Sequence, residues 1–253
     1  MCFDTDSHPP IEQVEGAATD HHRTTLHTSD ANDFAVYEAF AEGGGTTGVV
    51  VLPDVRGLYR FYEELAVRLA EAGHDTIAID YFGRTAGIGD RGDEFPYQEH
   101  VPQVTWDGMT ADVAAAVARL RQANLDRRIF TLGFCFGGSS AWQQSAGGHG
   151  LAGAIGFYGR PDGQRPQGAR TPIDLAPEMA SPILALMGGA DPGIPAETVA
   201  VFKKALEVAG VEHEVVTYEG APHSFFDRKF DDYADESADA WKRVLEFIRV
   251  HSG

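Results

Sequence analysis

The sequence predicts an α/β protein in which a mostly parallel, twisted sheet begins with an antiparallel hairpin and carries helices on both faces. Two strand-like segments near the start flank a turn-rich stretch, which is the pattern of a hairpin. From residue 48 onwards, short apolar runs alternate with amphipathic segments. Repeated β–α units of this kind place parallel strands side by side under two layers of helices. The 253 residues suit one such domain with a large core.

The N-terminal part divides into a tail and a hairpin. Residues 1–20 are polar and contain proline, so we expect a poorly ordered tail, and we expect residues 21–253 to form one domain. The hairpin strands are predicted at 24–28 and 34–40, around a turn-forming Ser-Asp-Ala-Asn-Asp sequence. The histidines in this part have no accompanying cysteine or carboxylate spacing typical of a metal site, so no metal is predicted there.

The β–α units then follow in order. The apolar run 48–52 predicts a buried strand, and the amphipathic segment 62–72 predicts a helix that ends at Gly73. The remaining elements are predicted as strands at 76–80, 129–132, 152–158, 182–187 and 211–218, helices at 109–123, 196–209 and 235–250, and a loop rich in proline and glycine at 159–177.

The most informative motif is Gly-Phe-Cys-Phe-Gly at 133–137, which lies between an apolar strand and a helix-forming segment. A strand, a sharp turn and a helix with a nucleophile at the bend form a nucleophile elbow, here with Cys135 in place of the usual serine. The residues two before and two after the nucleophile must be small, because strand and helix approach closely, and Gly133 and Gly137 satisfy this requirement. A buried cysteine beside a glycine-rich turn is the alternative interpretation.

Two downstream residues complete a candidate catalytic triad. Asp191 follows the apolar strand 182–187, and His223 follows the alternating strand 211–218. Acid then histidine is the order in which triad partners follow the nucleophile in this type of protein. Each of the three residues comes just after the carboxyl end of a predicted strand, where open α/β sheets bind their ligands.

These residues predict covalent catalysis. His223 would accept the thiol proton and later protonate the leaving oxygen, while Asp191 orients the imidazole. Cys135 would attack an ester or lactone carbonyl and form a thioester that water hydrolyses. The oxyanion of the tetrahedral intermediate needs two donors, for which the backbone amides of Phe136 and Val55 are the candidates.

Composition limits the function further. A formal charge of −18 and a pI near 4.8 argue against nucleic acid as a partner. Two cysteines make no disulfide framework, and Cys2 lies in the polar tail. The start shows no signal-peptide pattern, and no run approaches the roughly 18 apolar residues of a membrane span. We therefore expect a cytoplasmic protein without a membrane partner.

Together these motifs resemble the dienelactone hydrolase family of the α/β-hydrolase fold, over residues 24–250. The stretches that carry the resemblance are Leu-Pro-Asp-Val-Arg-Gly at 52–57, Ile-Asp-Tyr-Phe-Gly-Arg at 79–84, Gly-Phe-Cys-Phe-Gly-Gly at 133–138, Gly-Phe-Tyr-Gly at 156–159 and His-Ser-Phe at 223–225. The resemblance implies hydrolysis of a small carboxylate-bearing enol-lactone, with neither metal nor organic cofactor. It supports Cys135, Asp191 and His223 as the triad.

Two positions depart from the family pattern. Asp54 stands where the family has a glutamate that interacts with the resting thiol, so Asp54 is the candidate thiol-modulating acid. The resemblance also implies two arginines that bind the substrate carboxylate. Arg84 matches the first, whereas Arg228 matches the second only with an alignment ambiguous by one residue. Arg56 and Arg160 are nearby alternatives for an anion site.

Two other functions remain open at the sequence level. A carboxylesterase of broader specificity is favoured by Asp54 and by the shifted arginine. A catalytically silent protein, in which Cys135 serves as a redox sensor or binding element, would also use an exposed thiol. The complete triad argues against the silent protein. The natural substrate and the oligomeric state are not predicted.

Overall fold

The computed structural model describes residues 7–14 and 20–253. Its strands are β1 (Asp20–His27), β2 (Asp33–Phe40), β3 (Thr47–Leu52), β4 (His74–Ile79), β5 (Arg128–Phe134), β6 (Gly153–Phe157), β7 (Ile183–Gly188) and β8 (His213–Tyr218). Its α-helices are α1 (Arg60–Glu71), α2 (Gly83–Ala86), α3 (Tyr97–His100), α4 (Trp106–Arg121), α5 (Phe136–Gln143), α6 (Pro172–Leu175), α7 (Ala196–Ala209) and α8 (Ala234–His251). Within the described residues, short 3-10 turns follow at Val101–Gln103, Gln144–Ala146 and Ala176–Glu178.

The eight strands form one sheet in the order β1-β2-β4-β3-β5-β6-β7-β8. Strands β1 and β2 pair antiparallel, and β2 also runs antiparallel to β4. The remaining pairs are parallel. This is the predicted sheet with its N-terminal hairpin, and the predicted fold class is confirmed.

The central strands are buried on both faces because helices cover each side of the sheet. All six residues of β3 and all six of β7 are buried. Two separate apolar clusters pack against the sheet, one containing Trp142 and Phe202 and the other containing Phe82 and Met109. The continuous apolar runs of the sequence correspond to strands covered in this way.

The structure differs from the sequence prediction at the hairpin. Strand β1 begins at Asp20 rather than residue 24, since its register pairs Asp20 with Phe40. The four added residues are polar and exposed, so their side chains carry no strand signal. Of the predicted tail, residues 7–14 and Asp20 are described; residues 1–6, with Cys2, and 15–19 lie outside the described residues. The single domain stays a prediction.

Short helices also appear where a loop was predicted. Within residues 159–177, α6 begins after Thr171, whose side chain accepts a hydrogen bond from the amide of Asp174. Proline at the first position of this helix is preorganised for helical geometry. The capping residue was present in the sequence, but one turn is too short for an apolar period to reveal it.

The parallel strands bring their carboxyl ends to one edge of the sheet. Strand β5 ends next to Cys135, β7 ends before Asp191, and β8 ends before His223. The close lateral spacing of neighbouring strands therefore places three residues that are distant in sequence at one edge. In the described part of the chain, none of the helices has the length and apolar character needed to cross a bilayer.

Candidate active site

Cys135 occupies a strained turn between β5 and α5. Its backbone has φ 55° and ψ −113°, a conformation that non-glycine residues rarely adopt. The amide of Cys135 donates a 3.0 Å hydrogen bond to the carbonyl oxygen of Phe157, which holds the turn against the end of β6. Strain of this kind persists where the surrounding structure enforces it, and it turns the side chain away from the sheet.

The two glycines of the motif allow the close approach that this turn requires. A Cβ atom on Gly133 would lie 2.0 Å from the carbonyl oxygen of Gly137, and one on Gly137 would lie 2.1 Å from the carbonyl oxygen of Leu52. Both distances are far below a van der Waals contact, and backbone atoms cannot move aside easily. The helix start therefore sits directly against the ends of β5 and β3.

His223 and Asp191 form the expected hydrogen-bonded pair. The Nδ1 atom of His223 lies 2.6 Å from Oδ2 of Asp191, whose other oxygen accepts a 2.8 Å hydrogen bond from the amide of Gly193. This leaves Nε2 of the imidazole for Cys135, to which the His223 side chain is also hydrogen-bonded. The structure thus brings the three predicted triad residues together in the order thiol, imidazole, carboxylate.

The electrostatics of the pair favour a charged imidazole. Burial lowers the pKa of His223, but the hydrogen bonds with Asp191 and Cys135 outweigh burial and raise that pKa to about 10. Burial likewise works to raise the pKa of Asp191, yet its hydrogen bond with His223 and those from nearby backbone amides lower the pKa below its ordinary value. A carboxylate beside an imidazolium is the state in which the histidine holds a proton for a leaving group.

The two predicted oxyanion donors, the backbone amides of Phe136 and Val55, belong to residues that border the cleft next to Cys135. Phe136 is the first residue of α5, and Val55 follows the end of β3. Both residues line the cleft that contains Cys135. Across residues 7–14 and 20–253, neither amide donates a hydrogen bond to a protein acceptor. Amides at the start of a helix are suited to stabilise negative charge.

The cleft above the thiol has a volume of about 640 Å³. This is the size of a small-molecule site. Its walls come from the elbow, from His223, from the loop after β7 and from the loop after β6; the last contributes Tyr158, Arg160, Asp162, Gly163, Gln164 and Arg165. Ligand access is therefore over the carboxyl edge of the sheet, as in other open α/β proteins.

Asp54 lies fully buried behind this cleft. Its Oδ1 atom accepts a 2.8 Å hydrogen bond from the amide of Arg56. The pKa of the neighbouring Asp227 is raised mainly by burial, and the charge of Asp54 adds to this effect. Asp54 is not among the residues that line the cleft. Its role as a thiol-modulating acid stays a prediction.

The structure does not bring Arg84 to the cleft. Its guanidinium binds Asp30 at 2.6 Å and Asp112 at 3.1 Å, on the side of the sheet covered by α4. Asp112 is 1% exposed, so Arg84 compensates a buried carboxylate instead of facing a substrate. The two partners of Arg84 come from the hairpin turn and from α4, which are distant from it in sequence, so the sequence position of Arg84 does not reveal them.

Arg228 and Arg56 also lie apart from the cleft lining. Arg228 has an exposed side chain, and its amide donates to the carboxyl of the preceding Asp227. Arg56 is buried and binds Asp93 at 3.0 Å. Of the four arginines considered from the sequence, Arg160 is the one that lines the cleft.

Two features of the site were missed at the sequence level. Arg165 lines the cleft from the loop after β6, with an exposed side chain. In the part of the chain that the structure describes, no carboxylate forms an ion pair with Arg165. Nothing in its local sequence distinguishes it from a surface arginine.

The second missed feature is the pair formed by Tyr158 and Asp227. The hydroxyl of Tyr158 donates to Oδ2 of Asp227 at 2.7 Å, and the Tyr158 ring packs against the imidazole of His223. Burial raises the pKa of Asp227 well above its ordinary value, despite the hydrogen bonds from Tyr158 and from the amide of Arg228. Two phenylalanines directly before Asp227 are the sequence signal that this carboxyl is buried.

Comparison with known proteins identifies the family of the chain. The sequence profile of the dienelactone hydrolase family matches residues 34–252 of the chain. A protein of Escherichia coli strain K12, provisionally named carboxymethylenebutenolidase, is 30% identical over 211 residues, which cover 81% of this chain and 77% of the relative. Carboxymethylenebutenolidase of Rhodococcus opacus is 28% identical over 257 residues, which cover 98% of this chain and 96% of the relative.

A solved structure is similar in fold. The crystal structure of a provisionally named dienelactone hydrolase from Klebsiella pneumoniae superposes with a TM-score of 0.81 at 26% sequence identity. The superposition covers 92% of this chain and 99% of the Klebsiella chain.

Proposed function

The chain belongs to the dienelactone hydrolase family and is a carboxylic ester hydrolase, and on this premise we propose that Cys135 is the nucleophile with which it opens small carboxylate-bearing enol-lactones. One observation carries the proposal: Cys135 sits at the strained elbow, inside the cleft, within a hydrogen-bonded series that continues through His223 to Asp191. A thiol so placed is paired with a base and with an acid that orients the base.

The acylation step follows from these positions. The sulfur of Cys135 attacks the lactone carbonyl, and His223 holds the thiol proton. Negative charge develops on the carbonyl oxygen, where the amides of Phe136 and Val55 supply hydrogen bonds. The tetrahedral intermediate then expels the ring oxygen, which takes the proton from His223, and a thioester on Cys135 remains.

Hydrolysis of the thioester completes the reaction. Water attacks the thioester carbonyl while neutral His223 accepts a water proton, and Asp191 stabilises the imidazolium that forms. Collapse of the second tetrahedral intermediate releases the carboxylic acid, and the proton returns to the sulfur of Cys135. One water is consumed for each ester bond, and no further group is required. We propose a cytoplasmic location, because a reducing compartment preserves a thiol nucleophile.

The arginines that line the cleft, and that a substrate carboxylate could therefore reach, are Arg160 and Arg165. Arg160 binds Asp162 at 2.7 Å on the same loop, so part of its charge is already compensated. A strongly acidic protein repels an anionic substrate unless nearby cations reverse the local field. We assign that role to these two arginines in place of Arg84 and Arg228.

A carboxylesterase of broader specificity is the second candidate. The placement of Arg84 favours it, because the arginine that aligns with the family's carboxylate-binding position is occupied by Asp30 and Asp112. An enzyme whose cleft has exposed arginines at its edge, and no buried pocket that binds a substrate carboxylate, would accept neutral esters as well.

A substrate panel tests the proposal and separates the two candidates. kcat/KM is measured for dienelactone and for a neutral aryl ester of similar size, with wild type, Arg165→Gln and Arg160→Gln. Enol-lactone specificity predicts a preference for dienelactone that Arg165→Gln lowers by roughly tenfold without a comparable loss on the neutral ester. Equal kcat/KM for both substrates in wild type would support the broader esterase.

The covalent step is tested separately. Quenching the reaction in acid and determining the protein mass should reveal an acyl group on the peptide that contains Cys135. Hydrolysis without such an adduct, together with full activity in Cys135→Ala, would contradict the thioester mechanism. If the wild-type protein hydrolyses neither substrate, a sensing or binding role for the thiol would be favoured.

A further inference from the structure

Tyr158 has an unusual backbone at the end of β6. Its φ is 36°, in the left-handed region that bulky side chains avoid. The Tyr158 amide donates a 2.8 Å hydrogen bond to the carbonyl oxygen of Leu186, which fixes the residue against β7. Backbone strain at a residue that lines a cleft indicates that the position of its side chain matters for the site.

The ring of Tyr158 lies against the imidazole of His223. The two ring centroids are 4.8 Å apart, and the ring planes make an angle of 54°. The hydrogen bonds of His223 with Asp191 and with Cys135 act on the nitrogens of an imidazole that can also turn about its Cβ–Cγ bond. A packed ring on one side of the imidazole restricts that rotation.

The position of Tyr158 depends in turn on Asp227. The carboxyl of Asp227 is 0% exposed, with Oδ2 2.7 Å from the hydroxyl of Tyr158 and Oδ1 bonded to the amide of Arg228. A buried carboxyl is costly and is retained only with hydrogen-bond partners. Here its side-chain partner is a residue of the cleft, 69 positions away in sequence.

We propose that Asp227 is a positioning residue for the hydrolysis: it anchors the hydroxyl of Tyr158, and the Tyr158 ring holds the imidazole of His223 in the plane that serves Cys135. This inference rests on the proposed function of Cys135 and His223. Asp227 touches neither the substrate nor the reacting atoms and acts through Tyr158. The hydrogen bond with Tyr158 explains why a carboxyl group occupies a buried position directly after two phenylalanines.

Two substitutions remove the hydrogen bond from either side. Tyr158→Phe keeps the ring and deletes the hydroxyl, while Asp227→Leu keeps the approximate shape and deletes the carboxyl. Each should lower kcat on a neutral aryl ester roughly tenfold, with little change in KM, because the proton-transfer geometry is altered and the binding surface is not. Since both act through one contact, Tyr158→Phe combined with Asp227→Leu should cost little more than either alone.

Asp227→Asn is the conservative rescue. Its amide oxygen can accept from the amide of Arg228, and its NH₂ group can donate to the oxygen of Tyr158. We expect Asp227→Asn to retain kcat within about twofold of wild type. If Asp227 served only the stability of the fold, there would be no reason for kcat per folded molecule to be retained with asparagine and reduced with leucine.

A second tyrosine–aspartate pair supplies the matched control. The hydroxyl of Tyr218 donates to Oδ2 of Asp239 at 2.8 Å, and neither residue lines the cleft. Tyr218→Phe should therefore leave kcat unchanged. Rates are divided by the concentration of folded protein, which is determined for each variant from its near-ultraviolet circular dichroism, so that unfolded protein does not contribute.

The outcomes are distinct. Unchanged kcat per folded molecule in Tyr158→Phe overturns the proposal, even if Asp227→Leu fails to fold. Fully multiplicative losses in the double variant would also overturn it. If Cys135→Ala retains hydrolysis, the proposed nucleophile is wrong, which is a separate result from either of these.

Discussion

The Nδ1 atom of His223 lies 2.6 Å from Oδ2 of Asp191, across 32 residues of sequence. The carboxylate side chain is 3% exposed, whereas the imidazole is 31% exposed and borders the cleft. A carboxylate held on the buried side of a histidine strengthens the imidazolium that forms when the thiol loses its proton. We therefore expect the pair to set the pH range of the proposed hydrolysis.

Asp191→Asn should move the alkaline limit of activity to lower pH. The hydrogen bond with Asp191 is the largest contribution that raises the pKa of His223 to about 10. Because acylation requires a protonated His223 to protonate the leaving oxygen, kcat/KM should fall in wild type as pH approaches 10 and should fall earlier in Asp191→Asn. The pH profile of kcat/KM for aryl ester hydrolysis measures this alkaline limit. Asp239→Asn, which is remote from the cleft, should leave the alkaline limit unchanged.

The same pKa predicts a pH dependence of stability. The pKa of His223 is raised from 6.5 to about 10, so its protonation stabilises the native state fully below pH 6.5. That stabilisation is lost as pH rises from 6.5 through about 10. We expect the difference in Tm between wild type and His223→Gln to shrink over this interval. A difference that grows with pH would show that the imidazole is neutral in the native protein.

Cys135→Ala should abolish turnover while leaving the fold intact, because the alanine side chain keeps the Cβ and removes the nucleophile. The expected loss in kcat is at least about 10⁴-fold. Cys135→Ser should retain weak activity, since the hydroxyl is harder to deprotonate. Cys2→Ala is the matched control and should hydrolyse at the wild-type rate. Near- and far-ultraviolet circular dichroism spectra that match wild type would exclude unfolding as the cause.

Gly137→Ala should destabilise the protein by about 3 kcal/mol or more, because the added methyl group would meet backbone atoms that cannot give way. The built Cβ lies 2.1 Å from the carbonyl oxygen of Leu52. Gly92→Ala is the control: a Cβ at Gly92 has no atom within 4 Å. Urea denaturation measures both. Equal stability of the two variants would mean that helix α5 can move away from β3 at little cost.

Arg84→Gln should lower the free energy of unfolding and should leave the preference for dienelactone over a neutral ester nearly unchanged. It would leave Asp112 buried without its cation, at a cost of about 3 kcal/mol. Burial raises the pKa of Asp112 to about 7, so below that pH the group is protonated and the loss should be smaller. Unfolding experiments at about pH 5.5 and about pH 8.5 compare the two conditions. A selective loss of dienelactone turnover with unchanged stability would restore Arg84 as a substrate-binding residue.

Much of the architecture was readable from local patterns. The apolar run at 48–52 became β3, the segment 196–209 became α7 without a change of bounds, and the glycines around Cys135 marked the elbow. These features depend on backbone geometry and on the burial of neighbouring residues. Both are visible in the sequence, as a periodic spacing of apolar residues or as a small residue at a tight turn. Polar strand ends and one-turn helices leave no such period, which is why the start of β1 and helix α6 were missed.

The sequence by itself determined the strand and helix segments, the elbow and the chain order of thiol, carboxylate and imidazole, because each of these is recognised from residues close together in the chain. Only the tertiary structure decided which charges meet. Arg84 lies 28 positions from Asp112, and Tyr158 lies 69 positions from Asp227. Partners at such separations are selected by how strands and helices pack. The arginine that aligned with a substrate-binding position therefore pairs with Asp112 within the fold, and an aspartate without a sequence motif binds Tyr158, whose ring packs against His223.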